Sequence, residues 1–247
     1  MFLNFLVYLY IIFHPLNTLN MSQDFFTRLD AAIAQYAVLD HPFYQAWNAG
    51  TVTNPQLQEY AKQYYHFERN FPRYVSNVHA NTDDIAIRQQ LLLNLVEEEQ
   101  GEANHPELWL RFSDALGCKR DDVRNATPYK ETAAMEETFT GLTRYGSTLQ
   151  GVAALYGYES QLPEVSHTKI DGLTKFYKIH TSDGLAFFRV HEEADQLHRQ
   201  AERDILASLV TSAADEETAI AAATAAAKAY YHMLTGVVRE NAIECPM

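Results

Sequence analysis

The chain has 247 residues, 47% of them apolar and 21% charged, with a net charge of −13. That length allows one large domain or two small ones with a sizeable core, and the acidity argues against binding nucleic acid or an anionic membrane. The two cysteines, Cys118 and Cys245, lie far apart and form neither a disulfide framework nor a CxxC pair, which fits a reducing compartment such as the cytoplasm.

Residues 1–20 stand apart from the rest. Phe2 to Phe13 is apolar except for Asn4, and His14-Pro15 follows. No Lys or Arg precedes the run, as a signal peptide would require, and the run is short for a membrane span. It reads as an upstream extension translated from an early start codon, with a membrane anchor or uncleaved signal as the alternative. Met21-Ser22-Gln23-Asp24 reads as a fresh start, with Ser22 as a helix N-cap.

From there the pattern is helical. Phe25, Leu29, Ala32, Ile33, Tyr36 and Leu39 form an amphipathic stripe. Pro42 opens a short helix that stops near Gly50. Thr53-Asn54-Pro55 starts another, and Pro72 predicts a kink or break. Asp83 or Asp84 starts a helix running into Glu97-Glu98-Glu99, and a further helix spans His105 to about Leu116. Gly117 to Tyr129 is polar and loop-like. Helices follow at about Lys130–Arg144 and Ser147–Leu162, the latter closed by Pro163. Lys169–Ile179 reads as a short helix, Asp183-Gly184 precedes a long one through Leu209, and an alanine-rich helix covers about Glu216–Val238. No alternating β-branched runs bounded by hairpin turns occur. The economical reading is one all-α domain over residues 21–240, with a tail at 241–247.

Three segments carry candidate metal ligands. In "HEEADQLH", His191, Asp195 and His198 fall at i, i+4 and i+7 and project from one helix face. Two imidazoles and a carboxylate suit a first-row metal; the bland alternative is an acidic, histidine-bearing surface. In "EEEQGEANH", Glu98 and His105 would lie about 10.5 Å apart along a continuous helix, but Gly101 and Pro106 allow a break. Glu97 and Glu99 are the neighbouring alternatives, or simply a solvated helix end. In "LYGYESQLP", Glu159 lies among apolar and aromatic residues, where an ionised carboxylate is costly unless paired or metal-bound; otherwise it is an exposed residue near a helix end. Together these segments offer three carboxylates and three imidazoles. Such a set can hold two iron or manganese ions and leave positions for dioxygen, and without a thiolate it suits zinc less well.

"HPFYQAW", "EEEQGEANHPEL", "LYGYESQLPE", "HTKIDGL" and "HEEADQLH", in that order, resemble the family of the chlamydial protein associating with death domains and its bacterial relatives. That family sits with the pyrroloquinoline-quinone synthase and thiaminase II proteins in the haem-oxygenase-like helical fold. The resemblance runs from about Met21 to Val238. It implies a helical bundle around a buried dinuclear Fe/Fe or Fe/Mn site, often in a homodimer. The implied activity is an oxygenase that uses dioxygen and an external reductant to make p-aminobenzoate for folate biosynthesis. Glu98, His105, Glu159, His191, Asp195 and His198 match the family's ligand pattern. The branch is self-sacrificing: the ring comes from a tyrosine of the protein, matched by Tyr44, and a lysine is the amino donor, matched by Lys169.

The residue types agree with that chemistry. A tyrosine ring is para-disubstituted, as the product is. A lysine amine must be neutral to attack an oxidised ring, and burial near cations favours that form. Read alone, Tyr44 is an ordinary packed aromatic and Lys169 a surface lysine, as Lys175 and Lys178 are. Tyr60 and Tyr158 are further candidates, to relay an electron, shape the pocket or pack. Three other readings compete: a cofactorless oxidase, a thiaminase-like hydrolase needing a cysteine nucleophile, and a non-enzymatic interaction protein.

Overall fold

The local chemistry of the caps divides the chain into helices much where the sequence suggests. The structure, a computed structural model, describes residues 19–244, apart from the side chains of 19–22 and 193–195. The expectations for the apolar run ahead of residue 19, for Met21-Ser22 as a start and for Cys245 rest on side chains outside the described residues. Helix α1 (Leu19–Ala34) already contains position 22, so that residue is not its N-cap. A short 3-10 turn, Val38–Asp40, leads into α2 (Pro42–Ala49). His41 caps α2 through its side chain, Pro42 occupies the first turn, and Gly50 closes it in the left-handed region at φ 69°.

Helix α3 (Asn54–Glu68) begins in a capping box, with Thr53 N–H donating to Gln56 Oε1 at 2.8 Å. The break foreseen at Pro72 falls just before it, and α4 (Phe71–Asn81) follows. Asp84 caps α5 (Ile85–Glu99) by accepting from the Ala86 and Ile87 amides. Helices α6 (His105–Ala115), α7 (Arg120–Arg124), α8 (Lys130–Arg144) and α9 (Thr148–Glu159) come next. The stretch read as loop from Gly117 to Tyr129 therefore holds one short helix.

Pro163 does not close a helix. It lies in the first turn of α10 (Leu162–Lys175), where its missing N–H costs nothing. The helix expected from Lys169 thus begins seven residues earlier and ends before Ile179. Two 28-residue helices complete the fold, α11 (Ser182–Leu209) and α12 (Ala213–Glu240).

Among the described residues no strand occurs and no helix is long and apolar enough to cross a membrane. Helix α12 lies at the centre, packed on α9, α8 and α1. Its buried Ala219, Ala222, Ala223, Ala226 and Ala227 let those helices approach closely. Helix α11 runs alongside, against α10, α6 and α9. This arrangement turns the faces of α5, α6, α9 and α11 towards one another and sets α2, α3 and α10 around an adjoining space.

Candidate active site

Two turns of α11 place His191 and His198 on its inward face, 4% and 6% exposed. The Asp195 side chain between them lies outside the described residues. Glu98 is the penultimate residue of α5 and His105 the first of α6, so the two do not share a helix. The connecting turn passes through Gly101 at φ +81°, a conformation that favours glycine. It folds His105 back until its Nδ1 lies 2.9 Å from Glu98 Oε1, both side chains being buried. The 10.5 Å axial separation of a continuous helix is thereby avoided.

Glu159, the last residue of α9, is fully buried. Its Oε1 accepts from Asn94 Nδ2 at 3.2 Å and lies 3.1 Å from His198 Nδ1. Burial raises the cost of its charge, but hydrogen bonds with Glu202 and His198 outweigh that and hold its carboxyl below the usual range. Glu97, with a half-exposed side chain, reaches the other His198 nitrogen at 2.5 Å, so it is more than a solvated helix end. Glu99 is exposed. Glu192, next to His191, pairs with the exposed His167 at 2.9 Å.

His191 donates from Nδ1 to the Phe187 carbonyl at 2.7 Å, which leaves Nε2 as the lone-pair atom. Burial, then the neighbouring His105, keeps its imidazole neutral far below its ordinary pKa. A neutral imidazole is the form that binds a metal.

Two residues that the sequence reading passed over join this cluster. Glu68 ends α3, is 2% exposed, and sets a carboxylate oxygen within 4.8 Å of ligand atoms of His105 and His191. Glu202, one turn beyond His198 on α11, is equally buried. "HFERN" around Glu68 carries no ligand spacing, and Glu202 extends the His191–His198 stripe by four, the one signal that pointed to it. Glu98, Glu159 and His198 form a second trio with ligand atoms within 4.8 Å of one another.

Next to the cluster lies an aromatic pocket. His41 Nδ1 accepts from the Phe43 amide at 3.0 Å, so the proton sits on Nε2 and is donated to Thr235 Oγ1 at 3.0 Å. That pair of bonds fixes the start of α2 and aims Tyr44 inward, fully buried. The Tyr44 hydroxyl lies 3.4 Å from that of Tyr230 on α12. Tyr60, also fully buried, packs on Phe43 with ring centroids 4.7 Å apart. Tyr158 shares a short hydroxyl contact with Tyr64, and Tyr64 stacks on Trp109 at 4.3 Å. Burial, then the neighbouring Tyr230, pushes the Tyr44 phenol well above its ordinary pKa, so it is neutral.

Lys169 on α10 enters this pocket and is 2% exposed, unlike the exposed Lys175 and Lys178. Its Nζ lies 4.9 Å from the Tyr64 ring centre, 5.3 Å from Tyr60 and from Phe188, 5.5 Å from Trp109 and 5.9 Å from Tyr44. Burial lowers its pKa from 10.5 to about 7, opposed by the charge of Glu68. Gly172, one turn along α10, makes the approach possible: a Cβ there would meet Trp47 Nε1 at 2.1 Å. Cys118 is half-buried, with its thiol pushed up to about 11 by burial, which makes it a poor nucleophile.

Residues 58–231 match the family described as iron-containing redox enzyme. The chain belongs to that family. It is 38% identical over 219 residues to the 4-aminobenzoate synthase of Nitrosomonas europaea, covering 85% of this chain and 89% of that protein. It is 39% identical over 193 residues to the 4-aminobenzoate synthase of Chlamydia trachomatis, covering 78% and 84%. The fold is haem-oxygenase-like. It superposes on a TenA homolog from Pseudomonas syringae pv. tomato with a TM-score of 0.76 at 17% identity, covering 88% of this chain and 92% of that one.

The buried cluster fits the iron of this redox family. Glu68 Oε1, Glu98 Oε2 and Glu159 Oε2 are buried with no hydrogen-bond partner among the described residues. Carboxylate oxygens in that state are costly unless a cation meets them. A set of carboxylates and imidazoles without thiolate suits iron or manganese.

Proposed function

We propose that this redox enzyme forms 4-aminobenzoate for folate biosynthesis from its own Tyr44, with Lys169 as the amino donor. Two metal ions, Fe/Fe or Fe/Mn, would be held by Glu98, His105, Glu159, His191, Asp195 and His198. The observation that carries the reading is the position of Lys169 Nζ, 5.9 Å from the Tyr44 ring centre inside a closed aromatic pocket beside the buried ligand cluster. The two relatives that bear the name 4-aminobenzoate synthase support it.

The metal pair, when bound, supplies the coupling of dioxygen and an external reductant to oxidation of the pocket. The chain's own residues set the rest. Burial keeps the Tyr44 phenol protonated, so the ring enters the reaction neutral. The Tyr230 hydroxyl at 3.4 Å is placed to accept a hydrogen bond from the Tyr44 hydroxyl as the ring is oxidised. Burial also leaves a large share of Lys169 as the free amine near neutral pH, the form with a lone pair to offer the ring. Tyr60, Tyr64, Trp109 and Phe188 surround that amine and exclude water from it. Tyr60 and Tyr158 shape the pocket and lie on the ring-to-ring path out of it.

Mass spectrometry tests the reading directly. Metal-loaded protein carrying ring-labelled tyrosine is given reductant and dioxygen. Labelled 4-aminobenzoate and a mass loss confined to the Tyr44 peptide are expected. Unlabelled product, or an intact Tyr44, would remove self-sacrifice from the account. The thiaminase-like alternative loses ground because Cys118 holds its proton.

A further inference from the structure

The two ligand trios are unequal in origin. The one made by Glu98, Glu159 and His198 consists of residues in the recognised motifs. The other, His105 and His191, is completed by Glu68, which stands outside all of them. We infer that Glu68 is a further protein ligand, closing the coordination of the metal position between His105 and His191. This rests on the dimetal part of the proposed function.

Three observations carry it. First, Glu68 is 2% exposed, and its Oε1 has no hydrogen-bond partner among the described residues. A carboxylate at the end of a helix can normally turn to solvent; here α3 ends at Glu68, α4 begins at Phe71, and the side chain stays buried. Second, the nearest cation in sequence does not serve it. Arg69 turns the other way, donating to the Arg124 carbonyl at 3.2 Å and lying 3.3 Å from His66 Nδ1. Third, the spacing is that of a coordination sphere slightly expanded. Bonds of about 2.1 Å to a first-row ion put cis ligand atoms about 3 Å apart and trans atoms about 4.2 Å apart. The Glu68, His105 and His191 ligand atoms all lie within 4.8 Å of one another, so small rotations of the side chains bring them onto one ion. The ring centres of His105 and His191, 4.3 Å apart and tilted by 51°, already converge.

Burial, then the neighbouring Glu98, pushes the Glu68 carboxyl well above the usual range, and the charge of Lys169 opposes that. A simple counter-charge to the lysine is therefore the rival role, and metal binding separates the two. Chelator-treated full-length protein is titrated with Mn(II), followed by calorimetry and electron paramagnetic resonance, for wild type, Glu68→Gln and Lys169→Met. The ligand role predicts two Mn(II) per wild-type chain. In Glu68→Gln one site weakens by about tenfold or more, and the exchange-coupled signal gives way to that of an isolated ion. Lys169→Met should retain both ions. Wild-type affinities and an unchanged coupled signal in Glu68→Gln would overturn the inference while leaving the dimetal reading intact. A wild-type chain that takes up no Mn(II) would overturn both. Should Glu68→Gln fold poorly by circular dichroism, a crystal structure of Mn(II)-loaded wild type decides. A Glu68 oxygen within about 2.5 Å of an anomalous peak supports the role, and one beyond about 3.5 Å overturns it.

Discussion

The ligand cluster and the tyrosine pocket adjoin, yet they manage burial in opposite ways. In the cluster, carboxylates and imidazoles are set against one another, as with His105 and Glu98 at 2.9 Å, and one oxygen each of Glu68, Glu98 and Glu159 lacks a hydrogen-bond partner among the described residues. In the pocket, one amine sits among five aromatic rings, and its lysine and tyrosine are pushed towards uncharged forms. The first region holds charge in readiness for a cation. The second removes charge by excluding water. The two regions are not electrically separate: the charge of Glu68 in the cluster opposes the lowering of the Lys169 pKa in the pocket.

The sharpest way to break that division is to remove each half alone. The double variant His191→Ala/His198→Ala should lose metal and lower 4-aminobenzoate formation by at least about a hundredfold. Tyr44→Phe should also abolish product but keep the wild-type metal content. Metal analysis beside product assay reads both; loss of metal in Tyr44→Phe would show that the regions are not separable.

Next in size is the packing that brings α10 to the pocket. Gly172→Ala drives a methyl into Trp47, an overpacking that should cost about 1–3 kcal/mol. Urea denaturation of the metal-free protein measures it. The folded variant should still bind metal, because the substitution lies on the pocket side.

The charge state of Lys169 gives a pH test. Its folded pKa of about 7 lies below the ordinary 10.5, so the unfolded chain binds more protons between those values. Its cost to stability is full below pH 7, and stability recovers as pH rises towards 10.5. Lys169→Met should therefore raise the Tm of the metal-free protein most at about pH 6 and progressively less above pH 7. A difference that stays constant with pH would mean the amine is not held in the neutral form. Smallest of all, Tyr230→Phe removes one hydroxyl 3.4 Å from Tyr44. It should change stability by no more than about 1.5 kcal/mol, leave metal content intact and slow product formation severalfold in a single-turnover assay.

How much of this was legible in the sequence follows from the kind of signal each residue leaves. His191 and His198 lie seven apart on one unbroken helix, so periodicity alone places them on one face. Glu98 and His105 are also seven apart, but their meeting depends on a turn at Gly101 that spacing cannot describe. Glu68 was invisible: it belongs to a different helix, and a glutamate before Arg69-Asn70 reads as a solvated helix end. Pro163 misled because proline stops a helix and starts one equally well; the side of the boundary is decided by Glu159 ending α9 and Leu162 beginning α10. The placement of Lys169 against Tyr44 is a property of packing between α10 and α2, for which the only local sign is a glycine mid-helix at position 172.

The complete burial of Tyr44 has a consequence for the protein's lifetime. The ring fills a space between Phe43, Trp47 and Tyr230 in the first turn of its helix. If the proposed reaction releases it, the chain left behind has a void where an aromatic side chain stood and a residue with no side chain inside α2. Voids of that size cost about 3–5 kcal/mol, a large part of the margin by which a domain stays folded. The spent molecule would then be marked by its own weakened packing, unfolding more often and meeting proteases sooner than the unspent chain. Synthesis of the protein and supply of the product would become one and the same flux.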